Sequence, residues 1–170
     1  MSKTITIKKA VLTSGHGLSL EMSERQKDGT YIDSKSDYSA PVHSDLKLAF
    51  RRMNVHLGLS SEHLKQDEIN DVDRPNDDIV DKYPVNSITF LPDESGVKIS
   101  GSVELTTEKK MPLSPPAIKW NDDDGYGYAS ELGEITTLVM SEIEAYLAGK
   151  HAPDAQQELP FDNGSEEDAA

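Results

Sequence analysis

The sequence predicts an α+β fold, in which an antiparallel sheet built from two β-hairpins is covered by helices on one face. Three observations predict it. Residues 3–13 and 17–24 alternate apolar and polar side chains on either side of a glycine-bearing turn. Residues 86–91 and 97–107 do the same around a second turn. Each pair is followed by apolar residues at helical spacing, which gives the order ββα-ββα.

In the first stretch Ile5 and Ile7 alternate with Thr and Lys, and in the second Leu18, Leu20 and Met22 alternate with Ser and Glu. Ser14-Gly15-His16-Gly17 supplies the turn between them. Residues 25–40 are polar, with room for a short strand around 29–33. A helix then opens with Ser44 as its N-cap, since a serine oxygen can accept from a free first-turn N–H. Leu46, Ala49, Phe50, Met53 and Leu57 make its apolar stripe, and Gly58 stands where it is expected to stop. Residues 60–84 read as an acidic insert. Pro92-Asp93-Glu94-Ser95-Gly96 turns the second hairpin, and Gly101 within its second strand signals a bulge or a close backbone approach. Three prolines, Pro112, Pro115 and Pro116, mark an extended loop. A last helix over about 129–148 carries Leu132, Ile135, Val139 and Ile143 on one stripe, and Gly149 ends it. The expected domain plan is one α+β domain over 1–150, followed by an acidic tail over 151–170.

At 170 residues the chain is long enough for one sizeable core, and its 35% hydrophobic content leaves part of the chain outside it. The absence of cysteine excludes disulfides, thiolate metal sites and cysteine nucleophiles, and fits a cytoplasmic protein. The N-terminus has no apolar core of a signal peptide, and no apolar run reaches membrane-spanning length. The net charge of −14 is concentrated in 60–84, 121–128 and 151–170; the rest of the chain carries equal numbers of acids and bases. Such runs are ordinarily solvated.

Little in the body names a chemistry. The five histidines, His16, His43, His56, His63 and His151, show no metal-binding spacing and read as surface or capping residues. Asn121-Asp122-Asp123-Asp124-Gly125 fails the register of a calcium loop and reads as an acidic turn before a helix. No nucleophile elbow, phosphate loop or dinucleotide fingerprint is present, so neither an enzyme nor a cofactor is expected. The basic doublets Lys8-Lys9, Arg51-Arg52 and Lys109-Lys110, with Trp120 and several loop tyrosines, are candidates for a single-stranded DNA surface, because stacking and phosphate neutralisation need aromatic rings beside cations.

The acidic tail contains one apolar hook, Gln156-Gln157-Glu158-Leu159-Pro160-Phe161. This string resembles the hexapeptide by which bacterial replication and repair proteins dock on the β sliding clamp. The resemblance implies that Leu159 and Phe161 enter the clamp's main hydrophobic pocket, that Pro160 sets the bend between them and lowers the ordering cost, and that Gln156 hydrogen-bonds at a smaller subsite. Gln157 stands where strong binders often have an aliphatic residue, which implies a modest affinity, on the order of micromolar. The acidic tail is also similar to those of bacterial and phage single-stranded DNA-binding proteins, but Phe161 lies nine residues from the last residue of the sequence, whereas in those tails the terminal carboxylate takes part. The overall layout resembles small phage early proteins. The expected function is therefore a phage-type interaction protein docking on the host clamp, as an accessory or an inhibitor of replication or recombination. The alternatives are a single-stranded DNA-binding protein and an acidic DNA mimic or anti-defence inhibitor. An open sheet face could also seat a second copy of the chain.

Overall fold

The computed structural model describes residues 4–122 and 125–153. Strands β1 (Thr4–Leu12), β2 (Leu18–Arg25) and β3 (Tyr31–Tyr38) form an antiparallel meander. Helices α1 (Ser44–Arg52), α2 (Asn54–Ser60) and α3 (Asp77–Lys82) follow, then β4 (Val85–Phe90), β5 (Gly96–Glu104), β6 (Lys110–Leu113), β7 (Ile118–Lys119) and α4 (Ala129–Leu147). The seven strands make one antiparallel sheet in the order β3-β2-β1-β4-β5-β6, with β7 also paired to β5. The fold is α+β, as expected, but the ββα-ββα order is replaced by three strands, three helices, four strands and a helix.

The differences have local causes. The short strand anticipated around 29–33 is a full-length β3, because Tyr31–Tyr38 pairs residue for residue with β2 despite its polar sequence. The first long helix is broken at Met53 into α1 and α2. Its N-cap is His43 rather than Ser44: the His43 Nδ1 accepts from the Asp45 N–H at 3.1 Å. Gly58 does not end it but lies inside α2 under the Tyr83 ring, in a space too tight for a Cβ. The acidic insert is more than a solvated loop. It contains α3, and Leu64, Val80 and Tyr83 are buried. Gly101 does mark a close approach, since a Cβ there would run into the Pro84 carbonyl opposite a register shift between Val85 and Ser87. Gly149, with φ of 112°, closes α4 in the left-handed region.

The core is organised by one row across the sheet. Leu20, Ala10, Ile88 and Ile99 are in register on β2, β1, β4 and β5, and each is no more than 1% exposed. The stripe of α1 (Leu46, Ala49, Phe50) and that of α4 (Leu132, Ile135, Val139, Ile143) join them in one hydrophobic cluster. The opposite face carries the row Lys35, Glu21, Lys9, Thr89 and Lys98, polar throughout and alternating in charge at its first three positions. One sheet face is thus covered and the other is open, as period-two patterning requires. Among the described residues, no helix is long and apolar enough to cross a membrane.

Several contacts tie the C-terminal end of α4 and the residues after it to the rest. The Tyr146 hydroxyl donates to the Ala40 carbonyl at 2.6 Å, and Lys150 pairs with Asp45 and Glu142. Val42 bridges to His151, and the Ala152 N–H donates to the Pro41 carbonyl at 2.9 Å.

Candidate functional site: a cleft beside the free half of β1

The pairing of β1 is uneven. It pairs with β2 from Thr4 to Leu12, but with β4 only through Lys9, Ala10 and Val11. Two sequence features stop the β4 pairing there. A β-bulge between Ile7 and Lys9 inserts Lys8 as an extra residue and re-aims the strand. On the other side β4 ends at Phe90, and Pro92, which has no N–H to donate, opens the turn. Five residues of β1, Thr4 to Lys8, therefore lie beyond its last residue paired to β4, a length of about 17 Å at strand rise.

The bulge also sets which side chains face inward. Ile7 and Ala10 lie on the same face although they are three apart, because Met22 and Leu20, their β2 partners, are two apart. The same face continues outward to Ile5, Glu24 and Ile32, which are in register. The helices do not reach that far: Ile5 is 54% and Ile32 56% exposed.

The overhang borders an open cleft of about 1380 Å³. One wall is Thr6, Ile7 and Lys8, and the other is the run from Thr89 to Glu94. Consecutive residues of a strand point to opposite faces, so a wall made of consecutive residues presents the strand's edge, with its main-chain N–H and C=O groups. The floor combines Trp120 with one side of α4, including Thr136, Thr137 and Met140. Apolar surface is supplied by Ile7, Phe90, Leu91, Val97, Trp120 and Met140. The charged residues of the lining are four carboxylates, Glu21, Asp93, Glu94 and Glu144, and one cation, Lys8. Lys8 is itself matched by Asp33 at 3.4 Å, and a hydrogen bond from Ser23, followed by this exposed pair, lowers the Asp33 pKa.

The candidates for single-stranded DNA binding fall in separate places. Lys8 and Trp120 share the cleft. Lys9 stands on the open sheet face beside Glu21. Arg51 is held by Asp77 and Asp81 of α3, each at 3.1 Å, and Arg52 is its neighbour at the end of α1. Lys109 and Lys110 lie at the β5–β6 hairpin, on the far flank of the sheet from β1. The hook residues Gln156, Leu159, Pro160 and Phe161 lie outside the described residues.

A second polar feature is internal. His56 on α2 is fully buried, contrary to the expectation of surface or capping histidines, because the α2 turn carries it under the loop before α4. Its Nδ1 lies 2.6 Å from the Tyr126 hydroxyl. Burial, with a smaller contribution from Arg52, pushes its pKa down to about 4, and burial pushes the Tyr126 phenol up. At neutral pH both groups are therefore uncharged, and the hydrogen bond between them ties α2 to that loop. The Nε2 of His56 and Oε2 of Glu131 are buried without a protein hydrogen-bond partner among the described residues. Also among them, no group of three or more His, Asp or Glu side chains could hold a metal ion.

Sequence reasoning singled out Lys8 and Trp120 but missed the cleft they share. One signal was present, since the first apparent strand is much longer than the one at 86–91. That mismatch becomes an overhang only once β1 and β4 are known to be neighbours. No family model, curated protein or solved structure matches this chain.

Proposed function

We propose that this chain is a non-enzymatic, phage-type interaction protein that docks on the bacterial β sliding clamp through Gln156, Leu159, Pro160 and Phe161. Occupying the clamp pocket would make it an accessory to, or an inhibitor of, replication or recombination. The observation that carries the reading is the hook itself, QQELPF, placed four residues after Ala152, the last residue with a described backbone hydrogen bond to the body. Two further observations support it. The core cluster of the described residues is drawn from Ile7 to Tyr146, and the C-terminal end of α4 is already pinned by Tyr146, Lys150 and His151. An extended peptide entering a preformed pocket needs no fold of its own.

Titration of the full chain with purified sliding clamp tests this. The expected affinity is on the order of micromolar, near −8 kcal/mol. The double substitution Leu159→Ala, Phe161→Ala is expected to weaken it by tenfold or more, since the apolar anchors of an interface dominate its energy. Equal binding by the variant, or none by the intact chain at about 100 µM, overturns the proposal.

The single-stranded DNA reading keeps one observation in its favour, that Lys8, Trp120 and Tyr31 line the same cleft. The four carboxylates of that lining weigh against it, because phosphate binding is dominated by cations.

A further inference from the structure

We propose that the cleft beside the free half of β1 is a second recognition site, which takes an extended segment of another polypeptide, cationic and apolar in alternation, as an added strand. Three features of the cleft converge on this occupant. The first is the free edge. Thr4 to Ile7 pairs with β2 on one side, Lys8 is the bulged residue, and among the described residues none of the five pairs with a strand on the other side. Such an edge offers main-chain donors and acceptors at strand spacing, which is the template that strand addition uses. The second is the alternation of environment across the edge. An added strand projects successive side chains to opposite faces. On one face it would meet the apolar floor, with Ile7, Trp120 and Met140, and on the other it would stand beside the polar sheet surface, with Glu21. The third is charge. Four carboxylates line the cleft against one lysine already paired to Asp33, and although Glu21 stands in register with Lys9 and Lys35, the lining as a whole is net negative. Complementarity then selects lysine or arginine between the apolar residues, and it disfavours both nucleic acid and this chain's own acidic tail.

This site differs from the clamp hook in both chemistry and direction. Through the hook the chain presents a peptide to a partner's pocket, whereas at the cleft it receives a peptide on its own sheet. A protein with both would bridge the clamp to a basic partner segment.

The test uses the full chain and, as probe, a short peptide alternating lysine with valine or isoleucine, with binding followed by fluorescence anisotropy and by amide hydrogen exchange. The expected result is saturable binding that weakens with salt, together with slowed exchange of amides within Thr4 to Lys8. The exposed pair Glu21→Lys, Glu144→Lys is expected to reduce the affinity on the order of tenfold. Thr137→Trp, on the exposed side of α4, is expected to block the floor and reduce it similarly while leaving clamp binding unchanged. The double variant of Leu159 and Phe161 is expected to bind the probe as the parent chain does, which separates this proposal from the clamp reading. Several results would overturn it. They are binding insensitive to the charge reversal and to Thr137→Trp, no change in exchange over residues 4–8, and equal or tighter binding of a glutamate-alternating peptide or an oligothymidylate. Tighter probe binding after loss of Leu159 and Phe161 would assign the cleft to the chain's own hook. Self-association abolished by Thr137→Trp would assign it to a second copy.

Discussion

Ala10 and Ile5 lie on the same strand and the same sheet face, yet Ala10 is fully buried and Ile5 is 54% exposed. Ala10 has a partner strand on each side and helices below, whereas Ile5 has β2 on one side only. A single inserted residue at the Lys8 bulge and a proline two residues past the end of β4 separate the two situations. The difference shows how one strand can serve both the core and an exposed edge. Its inner half is committed to stability, and its outer half keeps main-chain groups available at no cost to the core.

That division can be challenged by substitution. The largest contrast is expected between Leu20→Ala and Ile32→Ala. Leu20 is the cross-strand neighbour of Ala10 and is fully buried, so its truncation should cost about 3 kcal/mol in urea unfolding. Ile32 is 56% exposed on the outer arm, and its truncation should cost less than about 0.5 kcal/mol. Comparable losses would mean that the outer arm is packed as tightly as the inner one.

An effect of comparable size concerns pH. His56 belongs to the closed region, and its folded pKa of about 4 lies below the ordinary 6.5. The unfolded chain therefore binds the proton first as pH falls. Stability is complete above about pH 6.5, declines as pH drops toward 4 and levels off below it, a loss of about 3 kcal/mol from this group. His56→Gln should flatten that part of the stability profile, measured by urea unfolding across the range. An unchanged slope would remove His56 as its source.

The smallest of these effects comes from Asn54, which links two segments of the closed region. Its amide donates to the Val80 carbonyl at 2.9 Å and accepts from the Val85 N–H at 2.8 Å. Asn54→Ala strands both backbone groups and should cost about 2 kcal/mol. It should leave probe binding at the cleft unchanged, since the two sites share no residue.

The sequence made the closed region largely legible. Period-two alternation placed Leu18 and Leu20 of β2 inward, and helical spacing placed the buried stripes of α1 and α4, because each pattern is local and answers to one burial direction. β3 was underestimated because its side chains are almost all polar, and what makes it a strand is pairing with β2 rather than burial. His43 as a cap and His56 as a core residue were missed for a related reason. A histidine reads the same at a cap, on a surface or in a core until its neighbours are known. The cleft could not be read from the sequence, because it depends on which strand lies beside β1 and on where their pairing stops. The hook is the opposite case: six consecutive residues carry its whole signal, and no fold is needed to see it.

Amide hydrogen exchange on the full chain, alone and with the sliding clamp, tests the account most directly. Alone, Ala10 and Val11 should exchange slowly, and Thr4 to Lys8 should include fast amides on the side away from β2. On addition of the clamp, peptides covering 156–161 should gain protection while residues 4–8 stay as they were. Uniform protection along all of β1, or a clamp-dependent change confined to the body with none at 156–161, would contradict it.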